Sequence, residues 1–278
     1  MPIVRRVPFR RRLQGISNAL RKTARLVVNC GIVARIDDAD HVEATRETLI
    51  PTLVAEAGQP TRFAEASQFQ AGLAIARSTI ELYQSMAHEE PNPVPLAELI
   101  RGRVALSMRR YERVGVVAAI TPYNAALIMA FQKLVPALMA GNSVILRPSP
   151  LTPISSLVLG AAADASGLPA GVLSVVVEGA TAGAELLTTH PAVDLVSFTG
   201  STAVGRQILA QAAATVKRVA LELGGKSAQI YLPDAVERAA AGAVMVVAAT
   251  AGQACVAATR MLVPQERKQD VLDAVAAA

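Results

Sequence analysis

The sequence contains no tryptophan and only two cysteines in 278 residues. Aromatic residues make up 3% of the chain, which argues against a nucleic-acid surface built from stacked rings. No apolar run reaches the roughly 18 to 20 residues of a membrane-spanning helix. The longest run, 239–251, therefore predicts a buried helix. The two cysteines, Cys30 and Cys255, lie in different settings, which indicates no disulfide framework and predicts a reducing cytoplasm.

Acidic residues are absent from the first 36 positions, which carry nine of the 27 Lys and Arg residues. The rest of the chain has 18 basic and 22 acidic side chains, so the net charge of +5 does not predict a polyanionic partner. This basic leader, 1–36, is interpreted as a disordered solvated tail, with a transit peptide or a nucleic-acid arm as alternatives. Three scattered histidines give no metal-ligand pattern, and no metal is expected.

From Val114 onward, short apolar runs alternate with helical stretches, a pattern typical of a parallel sheet covered by helices. The predicted strands are 114–121, 143–147, 172–177, 193–199 and 217–223. The predicted helices are 125–140, 152–166, 180–189 and 202–213. The fold class is therefore α/β, with a doubly wound, Rossmann-like parallel sheet of five strands.

The segments on either side of this unit do not continue its alternation. Two helices are predicted within 42–86, split at 57–60, and an exposed strand is predicted at 104–113. A strand at 227–232 and a long apolar helix at 235–254 follow the fifth strand. We expect a first domain at 37–224 and the start of a second, incomplete α/β domain at 225–278.

Polar residues and glycines gather where the predicted strands end, the edge at which such sheets bind ligands. The segment from Gly200 to Gly205 opens a helix, so its amides either bind a pyrophosphate or only shape a turn. Glu222 is a candidate general base or a solvated charge, and Asn124 is an oxyanion donor or a turn residue. Cys255, taken alone, is either a small core hydrophobe or a nucleophile.

Four motifs occur along the chain in this order: Pro122-x-Asn124, 198–202 (FTGST) with Gly205, 221–228 (LELGGKSA) and 252–255 (GQAC). Together they resemble the motifs of the aldehyde dehydrogenase superfamily. The resemblance is close from Val114 to about Val263 and looser back to about Val42. Ordered motifs at family-like spacing are highly specific, and they favour the catalytic interpretation of Cys255.

The resemblance implies a set of roles. Cys255 attacks an aldehyde as a thiolate, and Asn124 with the Cys255 amide holds the oxyanion. Hydride then passes to NAD or NADP, and Glu222 activates the water that releases the acid. The implied cofactor-binding residues are Thr121, Pro122, Arg147, Ser149, Pro150, Gly200, Ser201, Gly205, Leu223 and Gly224.

Three positions depart from the family pattern. Arg147 stands where the family often has Lys, and Tyr123 replaces the usual Trp. Pro150 stands where NAD-preferring members often carry a Glu that would repel a 2′-phosphate. The sequence therefore leaves NAD and NADP open, and the absence of this Glu is compatible with NADP use.

The resemblance also predicts that this chain is an amino-terminal portion, because family members continue past the cysteine with a Glu-x-Phe-Gly-Pro motif and an oligomerisation strand. The segment 99–113 matches the family's oligomerisation hairpin, so the expected partners are a small aldehyde and further copies of the chain, with no nucleic acid or membrane. An inactive remnant that at most binds nucleotide is the alternative. A CoA-acylating enzyme is less favoured, since Glu222 is present to activate water.

Overall fold

The computed structural model describes residues 39–92, 98–100, 103–104 and 107–278. The predicted leader at 1–36 and parts of the predicted hairpin at 99–113 lie outside the described residues. The described elements before the main sheet are α1 (Ala39–Ala44), α2 (Arg46–Ala57), α3 (Thr61–Phe63), a π-helical segment (Ala64–Gln70), α4 (Ala71–Ser85), β1 (Glu89–Pro91), β2 (Glu98–Ile100), β3 (Arg103–Val104) and β4 (Met108–Arg110).

The helical region breaks where the sequence predicted. Gly58 adopts φ of +63° and its N–H donates to the Val54 carbonyl oxygen at 2.9 Å, which ends α2. Pro60 precedes α3, where its missing N–H costs no helical hydrogen bond. The exposed strand predicted at 104–113 is present in part, because β1 pairs antiparallel with β4 and all three β4 side chains are exposed.

A five-stranded parallel sheet in the order β7-β6-β5-β8-β9 forms the centre of the fold and confirms the predicted doubly wound class. Every residue of β5 and β6 is buried, as expected for strands covered on both faces. The elements are β5 (Val116–Ile120), α5 (Ala126–Met139), β6 (Ser143–Arg147), α6 (Leu157–Ala165), β7 (Leu173–Val175), α7 (Ala182–Thr189), β8 (Leu195–Gly200), α8 (Thr202–Ala213) and β9 (Arg218–Leu223).

Two apolar cores lie on opposite faces of this sheet. One is formed by side chains of α1, α2, the π-helical segment, α4, α5 and α6, and it includes Phe69 and Leu127. The other is formed by α7 and α8, and it includes Leu187 and Ile208. The sheet is therefore covered by helices on both sides, which leaves the ends of its strands as the place for a ligand.

The segment after the sheet contains β10 (Ala228–Ile230), a 3₁₀ turn (Val236–Arg238), α9 (Ala239–Ala248), β11 (Arg260–Leu262), a second 3₁₀ turn (Gln265–Arg267) and α10 (Lys268–Ala277). β10 and β11 pair in parallel, apart from the main sheet. Val236, Ala239 and Val271 form its small buried core.

Two expectations about the apolar stretch in this segment were wrong. The helix predicted at 235–254 ends at Ala248, because Ala251 and Gly252 take φ values of +51° and +72°, which a right-handed helix does not admit. The run is also not buried, since Met245 and Val247 are 72% and 66% exposed. Hydrophobicity indicated a helix correctly but did not determine what covers it. Within the described residues, no helix has both the length and the apolarity needed to cross a bilayer.

Candidate active site

A cavity of about 340 Å³ opens at the carboxyl edge of the sheet, next to the β5–β8 pair where the strand order reverses. Three of the predicted cofactor-binding residues line it: Thr121, Arg147 and Ser149. Its remaining walls come from α7, α8 and Phe198. This volume is within the range of pockets that hold small molecules.

Two buried hydroxyl groups at this edge have no hydrogen-bond partner among the described residues. They are Oγ1 of Thr121, which lines the cavity, and Oγ1 of Thr199, which lies near the end of β8. Buried hydroxyls are normally hydrogen-bonded, so such groups are suited to accept or donate to a bound molecule. Both the volume and the unused polar groups fit a nucleotide.

Arg147 is anchored within the cavity wall by contacts that sequence reasoning missed. Its Nε donates to Glu178 Oε1 at 2.7 Å, and its Nη2 donates to the Ala180 carbonyl oxygen at 2.7 Å. Glu178 also accepts hydrogen bonds from the N–H groups of Gly183 and Ala184 at the start of α7, at 2.6 and 3.0 Å. The only signal in the sequence was a carboxylate beside Gly179 in the turn before that helix.

The turn from β8 into α8 has the form predicted for a phosphate-binding segment. Ser201 caps α8 by accepting a hydrogen bond from the Val204 N–H at 3.3 Å. A Cβ on Gly205 would lie 2.9 Å from Cδ2 of Leu223, so a larger residue here requires the Leu223 side chain or α8 to shift. Gly200, Ser201, Gly205 and Leu223 are thus brought together.

Asn124 connects the main sheet to the cysteine loop, defined here as residues 249–257. Its Nδ2 donates to the carbonyl oxygen of Gln253 at 2.5 Å, two residues before Cys255. The sequence predicted that these distant residues belong to one site, and the structure brings them together. Cys255 itself is exposed and is a free thiol, so the core-hydrophobe alternative is wrong.

Two buried glutamines hold the backbone of Asn124. The side-chain amides of Gln59 and Gln68 both donate to its carbonyl oxygen, that of Gln68 at 3.2 Å. Gln59 and Gln68 are 3% and 1% exposed, so their positions are fixed by packing. Sequence reasoning missed both, although Gln59 lies in the predicted break beside Gly58 and Pro60.

The segment carrying Glu222 also approaches the cysteine loop. A Cβ on Gly225 would lie 3.5 Å from the Cys255 carbonyl oxygen, which places the two backbones side by side. Glu222 lies on β9 opposite Thr199 of β8, and its side chain is exposed and thus reachable by water. Asn124, Glu222 and Cys255 therefore come from three separate elements that meet at one edge of the fold.

A buried lysine, also missed from the sequence, lies close to this group. Lys133 on α5 is 9% exposed, and its Nζ donates to Ser197 Oγ at 2.9 Å. Burial lowers the pKa of Lys133 to about 8, and the carboxylate of Glu222 partly opposes that effect. At neutral pH Lys133 is thus mostly protonated, and its charge acts on Glu222.

None of the other predicted cofactor-binding residues lines the cavity. Pro122 is half-buried, and Pro150 and Gly224 are exposed; none of the three lines the cavity. Among the described residues, no three His, Cys, Asp or Glu side chains are grouped as a metal site would require.

Comparisons with known proteins identify the family to which the chain is similar. The model described as "Aldehyde dehydrogenase family" matches residues 31–278. Geranial dehydrogenase of Castellaniella defragrans is 36% identical over 241 residues, which is 86% of this chain and 49% of that protein. An NADP/NAD-dependent aldehyde dehydrogenase of Escherichia coli is 36% identical over 84% of this chain and 46% of its own length.

Among solved structures, an aldehyde dehydrogenase mutant from Pseudomonas syringae, complexed with NAD+ and octanal, superposes with a TM-score of 0.83. The two are 29% identical, and the match covers 95% of this chain and 53% of that one. The chain thus spans about half the length of the relatives that it matches over most of its own length.

Proposed function

The chain belongs to the aldehyde dehydrogenase family, and from that premise we propose that it carries the cofactor site and the nucleophile of an enzyme that oxidises an aldehyde to a carboxylic acid with NAD or NADP. The observation that carries the proposal is the hydrogen bond from Asn124 to the Gln253 carbonyl oxygen. It brings an oxyanion donor to a loop whose exposed Cys255 thiol lies two residues further on.

The first step is addition of the Cys255 thiolate to the aldehyde carbon. A sulfur–carbon bond forms, and the carbonyl π electrons move to oxygen. Asn124 Nδ2 has two N–H groups, of which one donates to the Gln253 carbonyl oxygen. The other is available for the oxyanion, together with the Cys255 backbone N–H.

A bound nicotinamide cofactor would supply the hydride acceptor that this oxidation needs, and the adduct on Cys255 would become a thioester. Thr121, Arg147 and Ser149 surround the cavity proposed for its adenosine end. The amides of Gly200 and Ser201 at the start of α8 are proposed to face its phosphates. Pro122, Pro150 and Gly224 remain predicted contacts at the edge of this site.

Release of the acid requires water and a base. Glu222 is exposed on the edge strand β9, where it removes a proton from a water molecule as hydroxide attacks the thioester carbon. The carbon–sulfur bond breaks and the Cys255 thiolate is regenerated.

The proposal divides the chain near residue 225, with 37–224 binding the cofactor and 225–278 supplying the cysteine loop. The partner is a small-molecule aldehyde. Assembly through the hairpin at 99–113, independence from nucleic acid and a cytoplasmic location stay predictions.

Formation of NADH or NADPH by the 278-residue chain, followed with a panel of aldehydes, tests the proposal. We expect aldehyde-dependent hydride transfer with release of the carboxylic acid. Nucleotide binding without any hydride transfer would instead support the alternative of a chain that only binds nucleotide. Product that appears only when CoA is added would indicate an acylating enzyme.

A further inference from the structure

The cavity proposed for the adenosine end of the cofactor has one cation, Arg147, among the described residues that line it. That cation is already engaged. Its side chain is 7% exposed, and its guanidinium donates to Glu178 and to the Ala180 carbonyl oxygen, each at 2.7 Å. A bound phosphate would have to compete with a buried carboxylate for the same guanidinium.

The start of α7 is engaged by the same carboxylate. Glu178 is 16% exposed, and besides Arg147 it accepts hydrogen bonds from the Gly183 and Ala184 N–H groups. The first turn of a helix favours an anion, and here the chain supplies that anion itself. A second carboxylate, the exposed Glu185, also lines the cavity and accepts a hydrogen bond from Thr181 Oγ1 at 3.0 Å.

We propose that Glu178 determines cofactor choice. Its carboxylate binds both Arg147 and the start of α7. The cavity therefore accepts a ribose 2′-hydroxyl and rejects a 2′-phosphate. The chain would then prefer NAD to NADP. This inference rests on the proposed function, which places the adenosine end of the cofactor in this cavity. It selects NAD where the sequence, with Pro150 in place of a Glu, left both cofactors open.

The discrimination follows from charge. A carboxylate can accept a hydrogen bond from a hydroxyl group, whereas a phosphate monoester carries about 1.5 to 2 negative charges at neutral pH and is repelled. The repulsion acts within a mostly buried wall, where water screens charges less than at the surface. Glu185 adds to it only weakly, since its exposed carboxylate is hydrated.

Calorimetric titration of the 278-residue chain with adenosine 5′-monophosphate and with adenosine 2′,5′-bisphosphate tests the proposal. These probes differ only at the 2′ position and contain no nicotinamide, so the measurement does not depend on Cys255 or on turnover. We expect the 2′-phosphorylated probe to bind about tenfold more weakly or worse. NAD+ and NADP+ should show the same order.

Glu178→Gln is the informative variant because it removes the charge and nearly preserves the shape of the side chain. It should reduce the ratio between the two dissociation constants about fivefold or more, mainly through tighter binding of the 2′-phosphorylated probe. The matched control is Glu185→Gln, which removes an exposed charge from the same cavity. We expect it to change the ratio by less than about twofold.

The inference would be overturned by equal or tighter binding of the 2′-phosphorylated probe by the unaltered chain, by an unchanged ratio in Glu178→Gln, including equal weakening of both probes, or by equal effects of the two variants on the ratio. Equal weakening would show that Glu178 only supports α7. Failure to bind either probe would also overturn it, together with the placement of the nucleotide. The role of Cys255 would still be tested separately by aldehyde-dependent hydride transfer.

Discussion

The cavity proposed for the nucleotide and the cysteine loop lie at the same edge of the fold, but they are held in different ways. The cavity wall is made by side chains on strands and helices, with Arg147 and Glu178 paired and almost buried. The cysteine loop contains two residues with positive φ, Ala251 and Gly252, and presents an exposed thiol. A rigid wall suits recognition of a constant cofactor, whereas an accessible loop suits a nucleophile that substrate must reach.

This contrast predicts that binding and chemistry can be separated, most strongly at Cys255. Cys255→Ser should lower aldehyde-dependent hydride transfer by about a thousandfold or more, because a hydroxyl is a far weaker nucleophile than a thiolate. Nucleotide affinity, measured by calorimetry, should change less than about twofold. Cys30→Ser is the control and should retain turnover; equal turnover in Cys255→Ser would disprove the nucleophile.

Asn124 joins the two regions, so its loss should affect the cysteine side more than the cavity. Asn124→Ala should reduce the turnover number about a hundredfold, as expected when one oxyanion donor is removed. Faster amide hydrogen exchange in residues 249–257 should accompany it, because the bond to Gln253 is lost.

Gln253→Ala is the matched control, since Gln253 accepts the Asn124 hydrogen bond through its backbone carbonyl oxygen. We expect less than about a threefold change in turnover. If both variants lose turnover equally, the Gln253 side chain rather than the Asn124 amide would be the important group.

Substitutions near the cavity should mainly change the stability of the fold and its affinity for nucleotide. Gly205→Val places a side chain where a Cβ alone would lie 2.9 Å from Leu223, so the Leu223 side chain or α8 must shift. We expect a loss of about 1 to 3 kcal/mol in the free energy of unfolding by urea and about tenfold weaker binding of NAD+. Gly179→Ala, where no atom lies within 4 Å of the added Cβ, should change the stability by less than about 0.5 kcal/mol.

The smallest expected effect concerns Lys133, between the two regions. Its pKa is lowered to about 8 in the fold from 10.5, so between these values the unfolded chain binds more protons and stability rises with pH. Raising the pH from 8 to 9.5 should add about 1 kcal/mol of stability through this residue. Lys133→Met should lose that increment in urea unfolding measured at both pH values. An identical pH dependence in the variant would show that Lys133 is not the titrating group.

The two regions also differed in how well the sequence described them. The buried runs of β5 and β6 were predictable because a strand covered on both faces is apolar at every position. The motif residues Asn124, Gly200 and Glu222 lay at strand ends, so topology alone placed them at one edge. The prediction for the apolar run in α9 was wrong because composition does not show that Ala251 has a positive φ, which a helix cannot contain. Composition also does not show whether another element covers Met245.

Residues that act through tertiary contacts were not predictable. Glu178 contacts Arg147 across 31 positions, and Gln68 contacts Asn124 across 56. Lys133 was hidden because a lysine on a helix is normally exposed, and only packing shows that this one is buried. None of these residues belongs to a motif, so the sequence pattern does not indicate which residue each one contacts.

The hydrogen bonds around Asn124 also have a consequence for the order of folding. The bond from Gln59 spans 65 positions and the bond to Gln253 spans 129, so closing the second loop costs more chain entropy. During synthesis the amino-terminal residues are available first, so Gln59 and Gln68 can hydrogen-bond to Asn124 before Cys255 has been added. The thiol of Cys255 is then the last part of the site to be added, and the residues that hold Asn124 have already folded.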